Sequence, residues 1–430
     1  MSRGAEIARR SAFFLVRISL FWFGLSFLWG GMNIQLLPTR VPELVDDEIK
    51  GTAIGAIVVV GLIVAILVQP MAGAFSDRVR MRWGRRRPIM AAGIAAAMPC
   101  LLFVAYAPNY GLLFVAMVLL QIAANIAHGP YQGVIPDQVP TDSRGRASGF
   151  FGLANLMGTL VGAGVAGAWL SMAAEGQDPN PFFAPALLTI MVVLAVFSIA
   201  AWFAVREQRP PEQAPFEGVL REVRTRLGEL TQRSAFAWLM LSRLLYFMGL
   251  QAMDNFIQLF LKGDQVDGGL AESDAEFKTT IVLAAVLLTA LITTVPAGWL
   301  ADRYGKLRLV AAAAALGLIA AAVLMTSQSF VQVVIFAAVL GVGVGLFTAA
   351  DWAVAIDLIP DQRAPGLYMG LSNVATAGGD GLATLSAGIA LDLFGYRAVF
   401  AMMAIFFGLS LVVLPVVRAR LAAAQAAPPT

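Results

Sequence analysis

Apolar runs of about 20 residues, separated by short polar or Pro/Gly-rich breaks, recur along nearly the whole chain. They predict helices near residues 13–38, 51–75, 88–107, 111–135, 147–172, 182–205, 235–261, 279–301, 307–326, 330–358, 366–391 and 397–417. A run of about 20 residues is the length that crosses a bilayer's hydrocarbon core of about 30 Å. Lipid offers no partner to backbone N–H and C=O groups, so only helices or closed barrels span it, and these runs lack the alternation of barrel strands. The fold class expected is an all-α membrane protein of twelve transmembrane helices in two pseudo-symmetric six-helix bundles. Residues 1–205 form the first, 206–234 a connector and 235–430 the second.

Composition strengthens this reading. The chain is 59% hydrophobic and 13% charged, against roughly 25% charged residues in soluble domains. The net charge of +3 reflects topology rather than nucleic-acid binding. Twelve spans place both termini on one side, and 24 of the 30 Lys and Arg residues fall there. Only Arg40, Lys50, Lys262, Lys278 and Arg397 lie opposite, with Arg243 inside span seven. The positive-inside rule then puts both termini in the cytoplasm of a cell inner (plasma) membrane protein. Arg9 and Arg10 precede the first apolar run, which is read as a retained helix because no small-residue cleavage site follows.

The connector begins Pro-rich and charged and continues with Val219, Leu220, Val223, Leu227 and Leu230 on one face, flanked by Arg221, Arg224 and Arg226. This pattern fits a short amphipathic helix on the inner membrane surface, or else a solvated linker helix. One cysteine, Cys100, and one histidine, His128, leave no intrachain disulfide and no thiolate metal cluster. No cofactor or metal is expected. Neither a Ser/His/Asp arrangement nor a zinc spacing nor a phosphate loop appears, so the chain does not read as an enzyme.

The halves repeat one another. Gly73-Ala-Phe-Ser-Asp77-Arg78 returns as Gly298-Trp-Leu-Ala-Asp302-Arg303, Pro136-Asp137-Gln138 as Pro360-Asp361-Gln362, and Gly152-Leu-Ala-Asn155 as Gly370-Leu-Ser-Asn373. Three matched signatures in order, at equivalent span ends, imply a duplicated bundle with a solute site between the halves near the midplane.

Those loops resemble the major facilitator superfamily, whose signature between helices two and three is Gly-x-x-x-Asp-Arg-x-Gly-Arg-Arg. The second copy reads Gly298, Asp302, Arg303, Gly305; the first is stretched to Gly73, Asp77, Arg78, Gly84, Arg85, Arg86. That stretched form, with Asn125-Ile-Ala-His128-Gly129-Pro130 in span four, is similar to the sucrose-transporter and sugar/proton symporter branch. The resemblance implies a secondary transporter, working as a monomer by alternating access on a small-molecule solute, most plainly a sugar, with a coupling ion such as the proton. It also implies that Asp77 and Asp302 act as state-dependent latches, a role open to a carboxylate that caps a helix N-terminus or pairs with a guanidinium. Export of amphipathic drugs or lipids by the same fold is the alternative.

Polar groups at bilayer depth are costly, so they line a watery cavity or are paired. Spans three, six, nine and twelve carry almost none and are expected to face lipid. The remaining spans supply the candidate substrate contacts Asn33, Gln35, Gln121, Asn125, Gln251, Asp254, Asn255, Gln258, Trp352 and Asn373. Gln251, Asp254, Asn255 and Gln258 share one helical face, a row suited to a hydroxylated ligand. Where the sugar branch has a titrating acid before the motif Asn, this chain has Gln121, and where it has an Arg after the Gly-Pro, it has Gln132. The coupling candidates are therefore His128, Asp254, Asp351 and Asp380. For His128 a bond to a backbone carbonyl stands beside the coupling role, and for Asp351 a static ion pair. Arg243 and Asp254 lie about 16 Å apart along one helix and need other partners.

Overall fold

The computed structural model describes residues 11–46, 49–79, 81–170, 172, 180–205, 225, 235–262, 272–361 and 364–426. Within the helices, some side chains lie outside that description, among them those of 253–256, 258–259 and 380. The expected connector helix also falls outside it, except for Thr225.

Twelve long helices run through the described residues: α1 (Ala12–Gly31), α2 (Lys50–Arg78), α3 (Arg87–Ala105), α4 (Tyr110–Gln132), α5 (Arg144–Leu170), α6 (Asn180–Ala204), α7 (Ala235–Lys262), α8 (Glu272–Tyr304), α9 (Lys306–Leu324), α10 (Phe330–Asp357), α11 (Pro365–Phe394) and α12 (Tyr396–Ala426). No strand occurs among these residues beyond one isolated bridge between Met81 and Gly84. Eleven of the helices are long and apolar enough to cross a membrane. Several outrun the apolar stretches that predict them: α8 starts at Glu272 rather than near 279, and α12 continues to Ala426. A helix whose backbone bonds are all internal has no reason to stop where hydropathy falls.

Local chemistry sets the ends. Ser11 accepts the N–H of Phe14, Asn109 that of Leu112, and Ser329 forms a reciprocal capping box with Gln332 at the start of α10. Each satisfies donors that the first turn leaves unbonded. In both repeat loops a glycine takes the left-handed region that other residues avoid, Gly84 at φ 107° and Gly305 at φ 97°. Directly after α1 the chain makes a π-helical turn, Met32–Leu36, and then one more α turn, Leu37–Arg40.

The chain divides into two compact units. Unit 1 comprises residues 1–140, 153–225 and 361–371; unit 2 comprises 141–152, 226–360 and 372–430. Helix pairing repeats between them. In unit 1, α2 and α3 pack on α4, and α1 and α3 on α6; in unit 2, α8 and α9 pack on α10, and α7 and α9 on α12. Each contact in one unit is its counterpart in the other shifted by six helices, which is the duplication expressed in packing. In unit 1, α3 and α4 approach closely enough to demand glycine. A Cβ on Gly93 of α3 would sit 2.6 Å from the backbone nitrogen of Ala127 on α4.

The outer faces are apolar. Val192, Val196, Ile199 and Phe203 form an exposed stripe on α6, and Ile405, Leu409 and Val412 one on α12. Helix α2, which the polar inventory does not single out, exposes Val58, Val59, Ile63, Leu67, Met71 and Phe75 as well.

Candidate solute and coupling site

In unit 1 the polar side chains converge between α2 and α4. Gln69 is the hub. Its amide nitrogen donates to Asn125 Oδ1 at 2.5 Å and lies 3.3 Å from Nδ1 of His128, while its carbonyl oxygen accepts from Gln132 Nε2 at 3.0 Å. Asn125 in turn donates to the backbone oxygen and to Oε1 of Gln121, at 2.7 and 3.1 Å. Gln132 Nε2 lies 3.4 Å from the second ring nitrogen of His128. His128 thus sits between two side-chain amides, with the indole of Trp22 edge-on at 5.1 Å. Gln69, Asn125 and Gln132 are buried, and Oε1 of Gln132 has no hydrogen-bond donor among the described residues.

In unit 2 the centre is ionic. Arg243 of α7 and Asp351 of α10 form a salt bridge through Nη1 and Oδ2, both residues all but excluded from solvent. Arg243 Nε donates to Thr376 Oγ1 of α11 at 2.9 Å, and its guanidinium lies over the rings of Phe247 and Trp352 at 5.6 and 5.9 Å. The second carboxylate oxygen, Oδ1 of Asp351, has no donor among the described residues. A charge removed from water costs several kcal/mol unless it is well paired, which makes a half-engaged carboxylate at this depth an expensive feature to keep.

At the loop end of each unit a carboxylate caps a helix. In unit 1, Asp77 Oδ2 accepts the backbone N–H of Leu367, in the first turn of α11, at 3.2 Å, and its Oδ1 takes Arg86 at 3.0 Å. Arg86 is fully buried and spends its other donors on Asp137 at 2.5 Å, the carbonyl of Pro130 and Ser76. Arg85 pairs with the same Asp137 at 2.6 Å. In unit 2, the two oxygens of Asp302 accept the N–H groups of Gly145 and Arg146, in the first turn of α5, at 2.9 and 3.0 Å. Asp357 draws Arg144 and Lys306 together at 2.8 and 2.6 Å. Anionic caps are favoured here because the first N–H groups of a helix lack internal partners and the dipole is positive at that end.

The other candidates are more dispersed. Asn33 and Gln35 both fall on the π turn, Asn33 exposed and Gln35 half-buried against Gly167. Gln251 and Asn373 are half-buried, and Asn155, beside neither, accepts from Ser26 at 2.7 Å. Arg303 is exposed and lies over Tyr304. The side chains of Asp254, Asn255, Gln258 and Asp380 lie outside the described residues, although their backbone is helical. The sequence reading overlooked Gln69, Arg243, Thr376, Asp137 and Asp357 as site residues. Gln69-Pro70 was detectable as the sole amide deep in span two, and Arg243 as a base well inside span seven, but nothing linear joins Arg243 to Asp351, 108 positions away.

The chain matches the family model described as MFS/sugar transport protein over residues 48–424. It is 30% identical over 166 residues to the sucrose transport protein SUC4 of Arabidopsis thaliana, a match covering 34% of this chain and 32% of that one. It is 23% identical to multidrug resistance protein 1 of Bacillus subtilis (strain 168) over 90% of this chain and 93% of that one. The match spans about a third of the sucrose transporter's length. Among solved structures it superposes on a major facilitator superfamily transporter, FucP, in the outward conformation, with TM-score 0.73, 13% identity and coverage of 96% and 99%. With a family model spanning most of the chain and a shared fold, this multi-pass membrane protein belongs to the MFS/sugar transport protein family of the major facilitator superfamily.

Proposed function

We propose that the protein is a cation-coupled transporter of a small polar solute, a sugar or glycoside, driven by the proton and working by alternating access. The observation that carries this reading is the Arg243–Asp351 pair, a buried carboxylate with one oxygen held by a guanidinium and the other without a donor among the described residues. Protonating Asp351 would cancel its charge and leave Arg243 held by Thr376 and the aromatic rings alone, loosening α7 from α10. Such a two-state ion pair is the element a coupling ion needs, because a ligand shifts an equilibrium only through different affinity for the two states. The chained amides Gln121, Asn125, Gln69 and Gln132 are hydrogen-bonding groups of the kind that recognise hydroxyls. Asp77 and Asp302 act in this reading as latches that are made in one state and broken in the other. We place both termini in the cytoplasm of the plasma membrane, the bundles at 1–205 and 235–430 and the connector between them, and read the working unit as a monomer.

The test is uptake of labelled mono- and disaccharides into proteoliposomes with and without an inward proton gradient, for the wild type and Asp351→Asn. Gradient-stimulated uptake that Asp351→Asn abolishes supports the assignment; undiminished stimulation in that variant overturns it. The second reading, export of amphipathic compounds, is supported by the near-full-length match to the Bacillus subtilis multidrug resistance protein. Gradient-driven extrusion of a lipophilic cation, with no sugar uptake, would replace the first reading with the second.

A further inference from the structure

Apart from the residues of the amide chain, α3 and α6 of unit 1 enclose a cavity of about 460 Å³ that opens on the exposed stripe of α6. Phe21, Met90 and Ile94 wall it, and Ile199 and Phe203, at its opening, are 60% and 69% exposed. In a protein embedded in lipid, an apolar groove on an exposed face is filled by hydrocarbon. Three features make this groove more than a rough patch. First, its rim is basic. Arg87, at the start of α3, lies 5.9 Å over the ring of Trp202, and Arg17 of α1 donates to the carbonyl of the next residue, Phe203, at 3.4 Å. Two guanidinium groups are thereby anchored on successive residues of α6, and among the described residues no carboxylate lines the cavity. Second, Trp83, 63% exposed, meets Trp202 edge-on at 6.2 Å, the position indole rings take at the headgroup level. Third, Ser198 lines the wall and its Oγ makes no hydrogen bond among the described residues. Serines in membrane helices commonly bond back to a carbonyl one turn earlier, as Ser19 does to Leu15; Ser198 keeps its hydroxyl for another acceptor.

We propose that this groove is a binding site for an anionic glycerophospholipid. One acyl chain lies between α3 and α6, an ester carbonyl accepts from Ser198, and the phosphate sits at the rim between Arg17 and Arg87. Basic pockets between helices on the side where positive loops gather suit acidic headgroups, each Arg adding about 1 kcal/mol near the surface. Bound there, the lipid would bridge α1, α3 and α6, the three helices whose packing closes one side of unit 1.

The test is native mass spectrometry of the full-length protein titrated with phosphatidylglycerol and, separately, phosphatidylcholine of the same chain length. The expected result is preferential binding of phosphatidylglycerol that Arg17→Gln/Arg87→Gln lowers about tenfold or more and that Arg82→Gln, an exposed arginine not lining the groove, leaves intact. Ala195→Phe, which fills the groove, should abolish it; if that variant does not fold, the arginine pair decides alone. Equal affinity for the two lipids, an unaffected double variant, or an equal loss in Arg82→Gln would overturn the proposal. So would a dimer whose formation excludes lipid, since a second copy would then be the occupant.

Discussion

Asp302 reaches across to the first turn of α5 and holds the N–H of Gly145 at 2.9 Å, so that a residue at the end of α8 caps the start of α5. Asp77 does the same for Leu367 of α11. The two caps are equivalent under the internal repeat: before α5 the hydroxyl of Ser143 is engaged with Asp142 and the Arg146 side chain, and before α11 Ala364 has no side-chain acceptor. A cap of this kind contributes about 1 kcal/mol.

Asp302→Asn and Asp77→Asn keep one acceptor but lose the charge. Each should shift the balance between inward- and outward-open forms by about fivefold, the equivalent of about 1 kcal/mol. The alkylation rate of a cysteine placed at Asn125 in a Cys100→Ser background reports the balance. Unchanged rates in both variants would show that the caps are structural in every state.

Arg243→Gln and Asp351→Asn each leave one charge buried without its partner, which costs about 3–5 kcal/mol. The double variant should recover most of that stability, with a coupling term far above the value for independent sites. Thermal unfolding of the purified variants measures the cycle. Additive losses would mean that the pair does not hold α7 to α10.

Gly93→Ala places a Cβ 2.6 Å from the amide nitrogen of Ala127. Backbone cannot yield there as a flexible side chain would, so the α3–α4 contact must open at a cost of about 1–3 kcal/mol. The unfolding midpoint should fall by several degrees, whereas Gly164→Ala, with nothing within 4 Å of its Cβ, should leave it in place.

Gln69→Leu removes the hub of the amide chain and orphans Asn125 Oδ1 and the Gln132 amide together. Each buried group left unbonded costs about 1–3 kcal/mol. If the chain contacts the solute, the apparent affinity for it should drop at least tenfold, while Gln69→Glu, which keeps an acceptor toward Gln132, should retain more of it. Equal uptake by all three proteins would remove the chain from the solute site.

How far the sequence reaches is visible in these same residues. Helix existence followed from lipid's demand for internal hydrogen bonds, which depends only on run length, and so each expected span has a helix. The ends moved because capping and polar helical extensions, at Glu272 or Ala426, are invisible to hydropathy. Asn125 and His128 were flagged by depth and by the span-four motif, Gln121 by depth; Gln69 bonds Asn125 and lies against His128, and Asn125 bonds Gln121. Their meeting point, Gln69, sits on another helix, and the 56-residue separation from Asn125 is set by how α2 packs on α4, which no local pattern encodes. Tyr131 and Tyr246 are fully buried in packing contacts, with Tyr246 stacked on Phe347 at 3.6 Å; which way an aromatic's helix face turns is not legible in the sequence.

The π turn at Met32–Leu36 carries a consequence of a different kind. A π turn holds one residue more than an α turn, and deleting that residue would restore ordinary helix without breaking the chain. The widened turn absorbs the extra residue, so everything beyond it, including Thr39 and Arg40, would keep its facing about the helix axis, and the change would be confined to the turn itself. Asn33 and Gln35 stand on that turn. A single-codon deletion would therefore redirect these two side chains together while sparing the helix on either side, a change that point substitutions at Asn33 or Gln35 would not reproduce.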